Sequence, residues 1–331
     1  MNIPWSSVRN QWKILPPVPK GDYLAGKNVI ITGANSGVGL EALKQLVIGK
    51  PAQLILAVRS VEPSQKIVNS IKKSHPGLDI QIFYLDLTSL ESIKSFTVKV
   101  KNEVGRVDVL INNAGINPNF SDGPYKSTGD GYERTFQTNT LGPFLTSLYL
   151  LPELRQSPSP KVIFVGSDIH FLADDTVIKK ALKQGTPIIS SFNDASTYKN
   201  GLRYAQSKLL LQMLTRSLIP ALPDLAIINT NPGMARTNLG RDFDFTPTLA
   251  TIRIVFSFVF NARSAANAAR NISTAVANST DSHDYWSEGV PYPSQNVFLT
   301  TGTGVRATKQ FYEEMLAEVE KIAPGVTKTL I

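Results

Sequence analysis

Apolar positions along this chain repeat at two periods. Continuous runs rich in β-branched and aliphatic residues, at 28–31, 53–58, 83–87, 107–111 and 162–165, read as buried strands. Between them apolar residues return every three or four positions, as at Leu40, Leu43 and Leu46, which is the spacing of an amphipathic helix. The alternation runs from about residue 27 to about residue 237 without a linker-like break. It predicts a single-domain α/β Rossmann-type fold, a doubly wound, mostly parallel sheet with helices on both faces. Residues 1–26 read as a lead-in that ends in the extended segment Pro16-Pro17-Val18-Pro19, and residues 27–331 as one domain.

The first strand–helix junction carries Thr32-Gly33-Ala34-Asn35-Ser36-Gly37-Val38-Gly39. Gly33 and Gly37 admit backbone angles closed to other residues, and Gly39 lets the helix approach its strand closely. The helix N-terminus then presents unpaired N–H groups and a partial positive charge, a seat for a pyrophosphate. Such a turn alone is equally an ordinary tight turn; the strand before it and the helix after it favour the nucleotide. The second strand ends in Ala57-Val58-Arg59-Ser60. An acidic residue there would accept from a ribose 2′-hydroxyl, whereas the Arg59 guanidinium matches a 2′-phosphate, so NADP(H) is the expected cofactor.

Further along, Asp86 ends the third run with the means to accept from an adenine amino group, and Leu87 with a surface for the ring. Asn112-Asn113-Ala114-Gly115 follows the fourth run and leaves room for a nucleotide against the backbone, although Asn-Asn is also turn chemistry. Asn139 sits inside an apolar helical pattern, where an amide needs something to bond. Ser167 closes the fifth run at the sheet edge where ligands bind in open α/β folds. Tyr204 and Lys208 stand four apart, on one helix face, where an ammonium favours the phenolate and pulls the tyrosine pKa down. A Ser167–His170 hydrolase pair is disfavoured because no nucleophile elbow surrounds the serine.

Composition narrows the classes. The 331 residues include no cysteine, which removes disulfides and thiolate chemistry and makes the cytoplasm the default compartment. The three histidines, His75, His170 and His283, lack metal-ligand spacing, so no metal is expected. The net charge of +8 is scattered rather than gathered with aromatics, which argues against nucleic acid. No secretory signal is visible, and the longest apolar run, 249–260, is too short to span a bilayer and contains Arg253. It reads as a buried or interface helix, a substrate lid or a shallow membrane contact.

Taken in order, Thr32-Gly33, Gly37, Gly39, residues 112–115, Asn139, Ser167, Tyr204, Lys208 and Asn231-Pro232-Gly233 with Thr237 resemble the short-chain dehydrogenase/reductase family. The likeness is close over 27–237 and loose beyond. The Ala-Asn-Ser-Gly turn and Ala-Val-Arg strand end are most similar to retinol-dehydrogenase-like enzymes and fungal polyketide-pathway reductases, and the proline-rich lead-in fits the latter. The resemblance implies Tyr204 as general acid/base, Lys208 as its modulator and ribose ligand, Ser167 as carbonyl-orienting hydroxyl and Asn139 as anchor of a proton-relay water. It also implies cofactor contacts from Gly33, Asn35, Ser36, Gly37, Val38, Gly39, Arg59, Asp86, Leu87, Asn113, Ala114, Gly115, Pro232, Gly233, Ala235 and Thr237. Hydride transfer between NADPH and a ketone or alcohol follows, with a retinol or long-chain alcohol dehydrogenase, a non-redox isomerase or dehydratase, and a non-catalytic NADP-binding protein as alternatives. The long 168–203 stretch, with Phe171, Leu172, Phe192 and Tyr198, is expected to shape the substrate mouth. Residues 238–295, with Phe243, Phe245, Leu249, Ile252, Phe256, Phe260 and Trp286, are expected to cover an apolar substrate or a subunit contact. Family members commonly pair through the helices bearing Asn139 and Tyr204, so a homo-oligomer is one expectation.

Overall fold

Beyond Asn28, every residue of β1 (Asn28–Thr32) is buried, with Ile30 entering one core and Val29 and Ile31 the other. A strand covered on both faces has no polar alternation, which is why these runs read as continuously apolar. The computed structural model of the chain describes residues 13–117, 125–199, 201–236, 262–293 and 296–330. Strands β2 (Gln53–Val58), β3 (Asp79–Tyr84), β4 (Val109–Asn112), β5 (Lys161–Val165) and β6 (Ala226–Thr230) join β1 in the parallel order β6-β5-β4-β1-β2-β3. The order reverses between β1 and β4, opening a crevice at their carboxyl ends. After a separate pair, β7 (Ala235–Arg236) with β8 (Arg263–Ser264), the chain adds β9 (His283–Ser287) parallel to β6 and β10 (Val290–Pro291) antiparallel at the edge.

Helices α1 (Gly37–Val47) and α2 (Val61–Ser74) cover one face, and α3 (Leu90–Glu103) the other. On that second face α4 runs through Arg134–Phe136, a π-helical turn Gln137–Leu141 and Gly142–Tyr149. The 168–203 stretch is itself helical, with α5 (Thr176–Gln184) and α6 (Ile188–Phe192). Next come α7 (Arg203–Ala221), α8 (Ala265–Asn278) beside α1, and α9 (Gly302–Ile322) beside α7. Glu314 of α9 caps α6 from across the chain, accepting from the N–H groups of Ile188 at 2.9 Å and Ile189 at 3.0 Å. Residues 205–215 of α7 are all buried.

Several expectations change here. Trp286, expected over the substrate, lies in β9 at 3% exposure and donates its indole N–H to Thr274 in the core. Residues 265–291 therefore belong largely to the sheet and its covering helix, because α8 supplies the apolar stripe that β5 and β6 need on that face. Phe192 is fully buried in the core against Phe136 rather than at a mouth. The lead-in packs: Leu15 is buried, its carbonyl accepts from Arg270, and Pro16 lies on Gly289. Residues 243, 245 and 249–260 lie outside the described residues.

Lys161 opens β5 with a buried ammonium that donates to the carbonyls of Val276 at 2.7 Å and Ser279 at 2.5 Å, closing the C-terminal end of α8. A cation there satisfies carbonyls that the helix leaves unpaired. Lys161→Met should cost about 1–3 kcal/mol, the usual price of stranding buried acceptors, read as a lower urea midpoint with an unchanged slope.

Candidate active site

The crevice begins at the glycine turn. Gly33 and Gly37 take φ of +65° and +57°. A Cβ on Gly33 would fall 2.8 Å from the Cα of Ala114, and one on Gly39 2.8 Å from the carbonyl oxygen of Gly33. Neither place admits a side chain. Thr32 Oγ1 accepts from the N–H groups of Asn113 at 3.0 Å and Ala114 at 2.9 Å, while the Asn113 amide donates to the carbonyls of Thr32 at 2.8 Å and Gly33 at 3.2 Å. These bonds lock the ends of β1 and β4 into a floor made of backbone. Ser36 precedes α1 with extended backbone and makes no side-chain cap, which leaves the first-turn N–H groups to an incoming anion.

The neighbouring strands bring their ends to the same edge. Gly33 donates to the carbonyl of Ala57, and Arg59 stands exposed one residue past β2. One carboxylate oxygen of Asp86 accepts from the N–H and hydroxyl of Thr88, which fixes its direction past β3, and Leu87 is buried beside it. These residues fit a dinucleotide: a side-chain-free turn and uncapped helix for the pyrophosphate, a carboxylate and an apolar side chain on the adenosine side, and a guanidinium beside the turn.

Opposite this floor, the π turn of α4 holds Asn139, whose amide is fully used. Its Oδ1 accepts from the N–H of Ile116 at 2.9 Å, and its Nδ2 donates to the Ile116 carbonyl at 2.9 Å and Ser207 Oγ at 3.0 Å. Ser207 in turn donates to the carbonyl of Tyr204. The side chain of Asn139 is thus a clamp between the segment after β4, α4 and α7. The Asn139 backbone carbonyl lies four residues before Pro143, which has no N–H to donate to it. Thr32 stands in the glycine-turn motif and Ser207 just before Lys208, but neither hydroxyl's partner, in residues 113–114 and in Asn139, can be read from its place in the sequence.

Tyr204 lies half-buried on α7, with the Ser167 side chain near enough to act on its hydroxyl. Lys208 is buried below it, its Nζ 5.8 Å from the Tyr204 ring centre and donating to the Val165 carbonyl at 2.8 Å. Burial here outweighs the effect expected of the lysine. The Tyr204 phenol is pushed up to about 12 by desolvation, with the Ser167 hydroxyl pulling it down and the Asp168 carboxylate pushing it up. Desolvation likewise lowers Lys208 to about 8, so the ammonium that was to favour phenolate is itself weakened. At neutral pH the tyrosine is an acid with its proton in place.

Ser167 caps the short helix Asp168–Leu172 by accepting from the N–H of Ile169. His170 Nδ1 meets the Ser167 carbonyl at 2.6 Å rather than its hydroxyl, so it donates and is no base for the serine. Asn231, quoted in the sequence pattern without a role, accepts from the N–H groups of Asp168 at 3.1 Å and Gly233 at 2.9 Å and ties the ends of β5 and β6 together. Gly233 takes φ of +76° just after Pro232, and Ala235 opens β7 at the same edge. Thr237 lies outside the described residues. Among the described residues no cluster of His, Cys, Asp or Glu suits a metal, and no helix is long and apolar enough to cross a membrane.

Crevice, glycine turn and Ser-Tyr-Lys set define a nucleotide-dependent oxidoreductase architecture, and comparison with known proteins gives it a family. The family model described as short chain dehydrogenase matches residues 27–177. A short chain dehydrogenase/reductase of Cryptosporiopsis sp., dmxR8, is 32% identical over 94% of this chain and 95% of its own length. Another, mfmJ of Annulohypoxylon moriforme, is 31% identical over 96% and 92%. Salutaridine reductase from Papaver somniferum superposes with a TM-score of 0.59 at 20% identity, covering 78% of this chain and 98% of its own. The NADPH-bound carbonyl reductase from chicken fatty liver gives 0.56 at 21%, covering 81% and 99%. The chain belongs to the short-chain dehydrogenase/reductase family and is an oxidoreductase of that family.

Burial holds His170 neutral by lowering its pKa to about 4. Between that value and the 6.5 of an exposed imidazole the unfolded chain binds the extra proton, so stability falls as pH drops through this window, by up to about 3 kcal/mol. Asp168, raised to about 6 by burial, has the opposite sign between 6 and 3.8. His170→Gln should therefore be less acid-sensitive than the parent in urea unfolding at pH 6.5 and pH 4.5.

Proposed function

We propose that this chain is an NADP(H)-dependent ketoreductase acting on a bulky apolar small molecule in secondary-metabolite biosynthesis. The observation that carries the reading is that Ser167 and Tyr204 come close enough for the serine to act on the phenol, above a buried Lys208 at the carboxyl edge of the sheet. When bound, NADPH supplies the hydride. Ser167 orients the substrate carbonyl, and Tyr204 gives its proton to the oxygen as negative charge develops there. A phenol whose pKa stands at about 12 is fully protonated at pH 7, which supports reduction as the working direction. Lys208, held by the Val165 carbonyl, would face the nicotinamide ribose and lower the phenol's pKa once the site is charged, and the Asn139 carbonyl would hold the water that replaces the proton.

Arg59 supports NADPH over NADH, and Asp86, Leu87, Asn113 to Gly115, Pro232, Gly233 and Ala235 would line the cofactor. The fungal relatives support a pathway role, and the NADPH-bound carbonyl reductase among the structural neighbours accords with the cofactor. Burial of residues 205–215 of α7 within one chain leaves that stretch no face for a second subunit, so any oligomer would use another surface.

Titration of NADPH and NADH followed by fluorescence should show Arg59→Ala weakening NADPH roughly 10- to 100-fold, the loss of a charge-assisted phosphate contact, with NADH unchanged. Equal affinities in the parent would refute the phosphate assignment. Tyr204→Phe should retain NADPH affinity and lose about 100- to 10,000-fold in kcat, the scale of general-acid catalysis; retained turnover would remove Tyr204 from its role.

A further inference from the structure

Tyr204 is the second residue of α7, and the residue before that helix, Leu202, supplies no side-chain cap. An uncapped first turn leaves its N–H groups unanchored and tends to fray, so something outside the helix must hold the phenol in register. Its immediate neighbour, Arg203, has no solvent exposure at all. The guanidinium lies over the ring of Phe192 at 4.7 Å and that of Tyr198 at 5.2 Å, both from the 168–203 stretch. Its Nε faces Glu133 Oε2 at 3.9 Å, and none of its three nitrogens makes a hydrogen bond. Glu133 is meanwhile occupied in capping α4, accepting from the N–H groups of Thr135 at 3.0 Å and Phe136 at 2.8 Å.

A buried cation without hydrogen bonds is a poor device for stability alone, since an apolar side chain of similar volume would fill the space without the desolvation cost. What it provides is placement. Three elements meet at this one group: the start of the Tyr204 helix, the start of the Asn139 helix, and the aromatic part of the 168–203 stretch. We propose that Arg203 is a positioning residue, a cation packed on Phe192 and Tyr198 and facing the Glu133 cap, that fixes the first turn of α7 and with it the Tyr204 hydroxyl. The inference rests on Tyr204 being the acid. Flat stacking geometry is specific to a guanidinium, so lysine cannot substitute.

The test compares Arg203→Met and Arg203→Lys with the parent. Both keep helix propensity and length, and Glu133 keeps its two backbone partners, so the variants should fold. Amide exchange measured by mass spectrometry should rise about tenfold or more over residues 203–207 in both variants and stay unchanged in α8. With phenanthrenequinone as the probe ketone, kcat per NADPH-binding site should fall about 100-fold, the scale of a misplaced acid, while NADPH affinity holds. Unchanged exchange at 203–207, or an equal rise in α8, would overturn the positioning role. Rescue by lysine would overturn the stacking argument. Tyr204→Phe separates the two claims: turnover retained there defeats the reading of the site, whereas an inactive Tyr204→Phe beside an Arg203→Met with parental exchange and kcat defeats only the role of Arg203.

Discussion

One amide holds together the elements around Tyr204 and Lys208. Asn139 has every hydrogen-bonding group of its side chain engaged, two with the backbone of Ile116 and one with Ser207. A buried amide leaves little tolerance for partial satisfaction, because each unmet group forfeits its hydration for nothing. The segment after β4, the π turn of α4 and the second turn of α7 are therefore held at fixed separation. A Cβ on Gly115 would fall 3.1 Å from Asn139 Oδ1 and 3.7 Å from Lys208 Nζ, so the same residue that clamps the helices also borders the lysine. The π turn is the local deformation that lets this side chain reach its partners, and such turns gather at functional sites for that reason.

Around this clamp the site divides into a side built from backbone and a side built from charge. The cofactor floor is held by Thr32 and Asn113 and admits no side chain at Gly33 or Gly39. The far side carries Asp168 next to Ser167, with Arg263 and Glu288 close enough to act on it electrostatically, and Arg263 and Glu288 paired in the interior. Four titratable groups here are displaced mainly by desolvation: Tyr204 and Asp168 upward, Lys208 and His170 downward. Every one of those shifts favours the neutral form. At pH 7 Tyr204 and His170 are neutral, whereas Lys208 at about 8 is still mostly ammonium and Asp168 at about 6 mostly carboxylate, so the tyrosine keeps its proton beside a buried cation.

The sheet was legible in the sequence because a parallel strand buried on both faces leaves an unbroken apolar run, and the glycine turn because its φ values and close contacts exclude other residues. Ser167, Tyr204 and Lys208 were legible for a different reason: strand ends and helical spacing place them at one edge without any knowledge of long-range contacts. What could not be read was direction and competition. The spacing of Tyr204 and Lys208 showed that they share a face but not that burial would dominate the phenol's pKa. Trp286 and Phe192 were apolar residues in regions next to the site, and composition does not distinguish a side chain that lines a crevice from one that fills the core behind it. Arg203 stood next to the tyrosine motif and Ser207 inside it, yet most of their partners, residues 133, 139 and 192, come from other elements.

The cap that Glu314 places on α6 has a consequence for the order in which the protein is made. α6 belongs to the stretch that carries Phe192 toward the Tyr204 helix, and its first two N–H groups find their acceptor only in the last long helix. β9 is also late in the chain and completes the sheet beside β6. During synthesis the segment from β1 to β4 emerges well before residue 314, and α6 has no cap from Glu314 until that residue has been made. The floor at the glycine turn is held by bonds between residues 32–33 and 113–114, whereas the wall beside Tyr204 depends on a carboxylate far along the chain.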